Sequence, residues 1–351
     1  MDALTSSHCR RIAALRRHLA AAASVAAAES ELAQLPGQQL SAERGDGYVF
    51  TDPAAQGILS AEQRDKYERD GFLVVPRLLA GEAEPFVARF EELLHTAKEN
   101  FPKGMQIVRD LVLVKEGVNQ VSEKAITKLQ HLETDPVLSR FSTHPAIVEM
   151  LPAWTGPQGA KSIPFTTQFI NKPPDLGEGT SRHPLHQDLW YFPFRPASAI
   201  VCAWLALEHV HRDNGCLFVR PGSHAKALKP HSKPPDGRAN AGYLGIDGAN
   251  NEDESEHDDE LVYVEMQPGD VVFFHPLLQH GSARNVTGGF RRAISTHYVS
   301  TDCVFFDTAT DPVQRIWADR VASKRRSNAV FQSKKPFTCV SRLPWLRPWR
   351  F

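Results

Sequence analysis

The sequence predicts a mainly β fold with flanking helices, an antiparallel sandwich or barrel of the jelly-roll kind. Two observations predict it. Short runs rich in β-branched and aromatic residues dominate from Ile107 onward, separated by turn signals such as Pro221-Gly222 and Pro268-Gly269-Asp270. The two helical patterns of the body, in contrast, precede them, and a further possible helix lies in the basic tail beyond Gln314.

The predicted strands are Ile107 to Val114, Ile163 to Ile170, Ile200 to Leu207, Cys216 to Val219, Leu261 to Glu265, Val271 to His275 and Ala293 to Val299. Before them, Ser60 with Gln63 forms a capping-box pattern for a helix through Tyr67, and Gly71 is its stop. Phe72 to Val75 reads as a first strand. A second helix is expected from about Glu82 to Lys98, where Phe86, Phe90 and Leu93 or Leu94 repeat at helical spacing.

At 351 residues the chain accommodates one large β domain with appendages. The expected division is a targeting segment at residues 1–30, a linker at 31–56, a catalytic body at 57–310 and a basic extension at 311–351. Lys plus Arg number 40 against 41 Asp plus Glu, so no global charge draws the chain to nucleic acid or an anionic membrane. The run Glu252 to Glu260 is acidic and reads as a solvated loop. Five scattered cysteines with no CxxC pair favour a reducing compartment. The longest apolar runs fall far short of the roughly 20 residues that span a bilayer, so a soluble protein is expected.

Arginines set among alanines, with no acidic residue between Asp2 and Glu29, give the N-terminus the composition of a targeting peptide. Arg11-Ile12, five residues, then His18-Leu19 resembles the type-2 peroxisomal targeting signal. On a helix Ile12, Leu15 and Leu19 form one apolar stripe for an import receptor. A mitochondrial presequence or a plain tail shares this composition, so both stay open.

The chemistry concentrates in two places. In Arg182-His-Pro-Leu-His-Gln-Asp-Leu-Trp-Tyr191, His186 and Asp188 stand at i and i+2, a spacing that points both side chains to one face of an extended strand. His280 follows at the end of another predicted strand. Two imidazoles and a carboxylate form the facial triad of non-haem iron(II) oxygenases, which leaves positions for a bidentate oxo-acid and dioxygen. Eleven residues beyond His280 stands Arg291, whose planar fork suits the far carboxylate of 2-oxoglutarate. Ser282 lies on the same side as His280 and adds a hydroxyl. Trp190, Tyr191, Phe192 and Phe194 are candidates for an apolar substrate channel, with core packing the competing explanation. His183 and His275 read as structural histidines.

Longer runs carry a resemblance. Ile170-Asn-Lys-Pro-Pro-Asp175, Ser181-Arg-His-Pro-Leu-His-Gln-Asp188, Tyr191-Phe-Pro-Phe-Arg-Pro196, Ile200-Val-Cys-Ala-Trp204, Phe274-His-Pro-Leu-Leu278 and Phe290-Arg291 resemble the phytanoyl-CoA dioxygenase family from about Gly57 to Asp307. The resemblance implies a double-stranded β-helix (cupin-like) core and 2-hydroxylation of a 3-methyl-branched fatty acyl-CoA in peroxisomal α-oxidation. It implies iron(II), 2-oxoglutarate, dioxygen and ascorbate as the cofactor set. The family's iron ligands fall on His186, Asp188 and His280, and its oxo-acid contacts on Lys128, Gln187, Trp204, Ser282, Arg291 and Gln168. At the last of these the family more often has methionine. Lys128 as a surface lysine and Trp204 as core packing remain open. So do the same iron chemistry on another acid or small metabolite, and a silent scaffold that keeps the fold.

Overall fold

The computed structural model describes residues 49–305 apart from 54, 56, 97–99, 116, 120, 121, 157–160, 176, 178, 234–242 and 249–259. The chain divides into two units, and the one spanning Arg44–Val304 contains the elements that follow. The targeting motif, most of the acidic run and the basic extension lie outside the described residues.

In chain order the elements are α1 (Ala61–Asp70), β1 (Phe72–Val75), α2 (Ala83–Leu94), β2 (Gln106–Arg109), α3 (Leu111–Lys115), β3 (Ile126–Gln130), α4 (Pro145–Val148), α5 (Pro152–Thr155), β4 (Ser162–Lys172), β5 (His183–His186), β6 (Phe194–Arg195), β7 (Ile200–Ala206), β8 (Leu217–Val219), β9 (His231–Ser232), β10 (Gly245–Ile246), β11 (Val262–Val264), β12 (Val271–Phe274), β13 (His280–Ser282) and β14 (Arg291–Ser300). A seven-stranded sheet runs β1-β12-β7-β14-β4-β3-β2 and a four-stranded sheet runs β11-β8-β13-β5. From β11 to β14 consecutive strands alternate between the two sheets. This alternation is the double-stranded β-helix.

Strand parity sorts the large sheet into two faces. On one, Phe169, Val201, Ala203, Leu205, Val271, Phe273, Ile294 and Tyr298 join the helices in the main core. Phe90 of α2 stacks on Phe169 with ring centroids 4.4 Å apart, and Trp154 of α5 stacks on Phe273 at 4.6 Å. The opposite face carries Cys202, Trp204, Ala206, Val272, Phe274 and Ala293, which meet Leu217, Val219 and Val264 of the smaller sheet.

The first helix follows its sequence signals. Ser60 and Gln63 form the reciprocal capping box, and Gly71 closes the helix with φ +81°. Three expectations shift. The predicted strand Ile107 to Val114 is β2 followed by α3, because the buried Asp110 carboxylate accepts the N–H groups of Val112 and Leu113 and caps a helix there. The second helix ends at Leu94 rather than near Lys98. Packed structure also begins before Gly57. The Glu68 carboxylate accepts the N–H groups of Val49, Phe50 and Thr51, and the Arg64 guanidinium donates to the carbonyls of Asp52 and Ala55.

Strand β3, which carries Lys128, escaped the sequence reading. It is tied to β4 by Asn171, whose buried amide donates to the carbonyls of Glu123 and Ile126 at 3.2 and 2.9 Å. Replacing Asn171 by Ala strands both acceptors, and a loss of about 2 kcal/mol in unfolding free energy is expected. Urea unfolding checks this, and an unchanged midpoint would count against the tie.

Candidate active site

The site forms where β5 and β13 pair. His186 and His280 are direct cross-strand partners, with ring centroids 4.2 Å apart. Each imidazole is oriented by its own chain: His186 Nδ1 lies 2.8 Å from the Pro184 carbonyl and His280 Nδ1 lies 2.9 Å from the Leu278 carbonyl. A carbonyl only accepts, so Nδ1 carries the proton in both rings and Nε2 keeps its lone pair. Both lone pairs face Asp188, with His186 Nε2 3.2 Å from Oδ1 and His280 Nε2 3.6 Å from Oδ2.

Asp188 arrives by a different route from the one the i, i+2 spacing suggests. Strand β5 ends at His186, and Asp188 opens a 3-10 turn to Tyr191 that is anchored by Leu189 N–H on the Pro276 carbonyl. One ligand atom from each of His186, Asp188 and His280 lies within 4.8 Å of the others. Two imidazole lone pairs and a carboxylate, all oriented by their neighbours, fit a divalent metal such as iron(II).

His297 completes the arrangement. From β14 its Nε2–H donates to Asp188 Oδ2 at 2.8 Å, while its Nδ1 meets the Thr166 hydroxyl at 2.8 Å. Burial alone would raise the Asp188 carboxyl, but the surrounding imidazoles, His280 and His297 foremost, with the His297 hydrogen bond, hold it well below the usual carboxylate range. Burial pushes His280 down to about 4, so it is neutral and able to ligate at physiological pH. His183 stacks between His186 and Tyr243, with centroids 4.1 Å from each.

A second cluster occupies the inner face of the large sheet. Arg291 opens β14 and is 2% exposed. Its Nη2 donates to the Gly215 carbonyl at 2.9 Å, its Nε has no partner among the described residues, and its guanidinium lies 5.5 Å from the Trp204 ring centroid. Burial lowers it to about 10, which leaves it charged. Gln168 and Trp204 both oppose Ser295 across β14, and Lys128 opposes Ile170, so these residues share one face. Lys128 Nζ sits over the Tyr243 ring at 4.7 Å. Ser282 is buried and accepts from Lys172 Nζ at 2.8 Å. An unpartnered buried guanidinium N–H, cross-strand from the lysine that holds the Ser282 hydroxyl, fits the far carboxylate of an oxo-acid. The Gln187 amide goes elsewhere: it donates to the Ala227 and Leu277 carbonyls and accepts from Lys229 N–H, which holds a loop and leaves no free group for an oxo-acid.

The four aromatic candidates divide. Phe192 packs edge-on against His297 at 4.8 Å and against Phe165 at 4.8 Å, and Phe194 also meets Phe165. With the half-buried Tyr191 and Ile163 they form an apolar cluster beside the metal ligands. Trp190 is instead buried on His231, ring centroids 4.9 Å apart. His297, Thr166, Phe165 and Lys172 were not singled out in the sequence. His297 was within reach, since period-2 parity from Arg291 places it on the inner face.

Two outcomes are expected. His297→Ala frees the Asp188 carboxylate and lowers iron(II) affinity about 10- to 100-fold, while His297→Gln, which still donates, recovers most of it. Anaerobic titration calorimetry reads both, and equal affinities would remove His297 from the metal site. The second concerns acid. Burial pushes His231 to about 3 and His280 to about 4, both below the unfolded value near 6.5. The unfolded chain therefore binds more protons across that window, so stability is complete above pH ~6.5 and is lost as pH falls. At pH 5 the metal-free protein should be weaker by on the order of 2 kcal/mol per imidazole than at pH 8. A flat urea midpoint from pH 8 to 5 would contradict this.

The comparisons with known proteins fit this geometry. A family profile described as Phytanoyl-CoA dioxygenase (PhyH) matches residues 67–293. The chain is 44% identical over 272 residues to "Phytanoyl-CoA dioxygenase, peroxisomal" of Rattus norvegicus, covering 76% of this chain and 77% of that one. It is 46% identical over 252 residues to the Homo sapiens protein of the same description, covering 71% of each. Among solved structures, EctD from S. alaskensis with bound Fe aligns with a TM-score of 0.54 at 20% identity, covering 75% of this chain and 85% of that one. The α-ketoglutarate-dependent carbocyclase SnoK from nogalamycin biosynthesis aligns with a TM-score of 0.52 at 24% identity, covering 77% and 93%. At these identities the structures speak for the fold, and the sequence relatives for the family. The chain belongs to the phytanoyl-CoA dioxygenase family.

Proposed function

We propose that this chain is an iron(II)- and 2-oxoglutarate-dependent oxygenase that hydroxylates C2 of phytanoyl-CoA or a related 3-methyl-branched acyl-CoA, in the peroxisome. The observation that carries the reading is the presence of two unlike surfaces on the strand that supports the metal-binding triad: a buried cation with an unsatisfied donor at Arg291, and an apolar aromatic cluster against His297. The first suits a dicarboxylate and the second an acyl chain.

The residues divide the work. His186, Asp188 and His280 would hold iron(II), which when bound supplies the activation of dioxygen. One oxygen atom enters succinate as 2-oxoglutarate loses carbon dioxide, and the other becomes the hydroxyl on the acyl chain. Ascorbate would keep the metal reduced. Arg291 and Ser282 fix the far carboxylate of 2-oxoglutarate and so orient its keto-acid end, with Trp204, Gln168 and Lys128 on the same face. His297 holds the Asp188 carboxylate in place. Phe165, Phe192, Phe194 and Tyr191 line the approach for the branched chain and exclude water from the reacting C–H bond.

The peroxisomal assignment rests on the relatives' descriptions and on Arg11-Ile12 and His18-Leu19, with Leu15 between them. An import receptor that reads this motif is the partner. A fluorescent fusion of residues 1–30 should enter peroxisomes and lose that address on Leu15→Glu, whereas mitochondrial import would overturn it.

The catalytic test is 2-oxoglutarate turnover by the purified protein with iron(II) and ascorbate on phytanoyl-CoA, a straight-chain acyl-CoA and free phytanic acid. Succinate matched by 2-hydroxyacyl-CoA, abolished by His186→Ala, is expected. Arg291→Ala should raise KM for 2-oxoglutarate on the order of 100-fold, the loss of two charge-assisted hydrogen bonds. Succinate without hydroxylated acyl-CoA would point to another substrate, and no turnover to a silent homologue.

A further inference from the structure

Arg291 has a neighbour that none of this explains. In the register of β14 on β4 it stands directly opposite Lys172. Side chains of paired residues on adjacent strands project to the same face, and like charges placed so repel. The residues next to them confirm which face is inward. Asn171 and Arg292 turn outward, Asn171 to β3 and Arg292 to Glu123 and Glu208. Lys172 and Arg291 therefore both point inward, and they are 5% and 2% exposed.

Neither has a carboxylate partner within ion-pair distance among the described residues. Lys172 Nζ donates to Ser282 Oγ and to the Ala283 carbonyl, and Arg291 donates to the Gly215 carbonyl. With only neutral acceptors around it, burial and the facing Arg291 charge push the Lys172 ammonium well below the ordinary lysine range, as expected of a site that lacks an anion. Gly215 permits the arrangement: it sits at φ +80°, and a Cβ there would lie 2.7 Å from Lys172 Cδ and 2.5 Å from the Ala283 oxygen.

Resting on the oxo-acid reading above, we propose that Lys172 is a positioning residue for the far carboxylate of 2-oxoglutarate. It fixes Ser282, and a carboxylate bound there would hold its amine in the charged form. Because Ser282 Oγ accepts from Lys172, its own O–H is turned away from the ammonium and is free to donate to the carboxylate beside Arg291. Lys172 thus helps select a dicarboxylate over a 2-oxo acid with an apolar end.

The test compares wild type, Lys172→Met and Lys172→Arg by anaerobic calorimetry on the iron(II) protein. The probes are 2-oxoglutarate and 2-oxopentanoate, the same chain with a methyl group in place of the far carboxylate. Lys172→Met should weaken 2-oxoglutarate at least tenfold, leave 2-oxopentanoate and iron(II) binding within twofold, and leave the melting temperature of the ligand-free protein unchanged or higher, since a repulsion has been removed. Lys172→Arg should recover part of the loss. A purely structural lysine gives another pattern: a lower melting temperature with both acids weakened alike, or 2-oxoglutarate affinity unchanged. Either result overturns the proposal. If the wild type binds neither acid while retaining iron(II), the oxo-acid reading itself fails, and the proposal with it.

Discussion

The register of β14 between β4 and β7 is the constraint on which the rest depends. The strand pairs along nearly its whole length with both neighbours, so its parity fixes two sets of residues at once. Arg291, Ala293, Ser295 and His297 face inward, while Ile294 and Tyr298 enter the helix-backed core. A slip of one residue would exchange the sets, placing a guanidinium and an imidazole among aromatic rings and taking both off the inner face. The hydrophobic pattern that specifies the core therefore also specifies the chemistry, and the site needs no separate device to bring Arg291 and His297 to one side.

The charges inside are arranged without neutrality. Around Asp188 stand His186, His280 and His297, each hydrogen-bonded so that its orientation is fixed before any ligand arrives. On the same sheet face Arg291 and Lys172 oppose one another, with no carboxylate within ion-pair distance of either among the described residues. Both clusters are costly in isolation, because buried charge is tolerated only with partners. The excess at each is opposite in sign to what is expected there, a divalent cation at the carboxylate and a carboxylate at the cations. Preorganisation of this kind lowers stability locally and raises the discrimination between ligands that complete the site and those that do not.

Much of this was legible in the sequence, for reasons that differ by residue. The capping box at Ser60 and the stop at Gly71 are local signals, and local structure obeys them. The HxD spacing pointed to two side chains that do converge, but by an incomplete argument, since Asp188 is delivered by a turn anchored on Pro276 rather than by strand alternation. Asp110 was misread because an apolar run continues on either side of it. Only its buried carboxylate, capping Val112 and Leu113, distinguishes strand from helix there. Lys172 was invisible as a functional group because a sequence does not say which lysine is buried or what stands across from it. Val49 to Ala55 looked like linker for a related reason: what holds it is the side chains of Glu68 and Arg64, which lie on the following helix and carry no sequence signal that they reach back to it.

One irregularity connects the two ends of the site. Between His297 and Tyr298 the pairing of β14 with β4 shifts register, from Thr166 to Pro164. Proline has no N–H for the ladder, and a bulge is where a strand tolerates it. The extra residue lets consecutive side chains serve the same neighbour: Thr166 hydrogen-bonds His297, and the Phe165 ring lies 5.9 Å from it. Polar support for the metal ligand and apolar surface for a chain thus come from adjacent positions. From Arg291 to His297 the strand rises roughly 20 Å at about 3.4 Å per residue. One strand face therefore carries the cationic residues at its Arg291 end and, at its His297 end, both the hydrogen bond to Asp188 and the contact with the aromatic cluster. Moving the bulge by one residue would leave Arg291 in place while separating Phe165 from His297, which makes the cationic cluster and the aromatic cluster separable parts of one sheet.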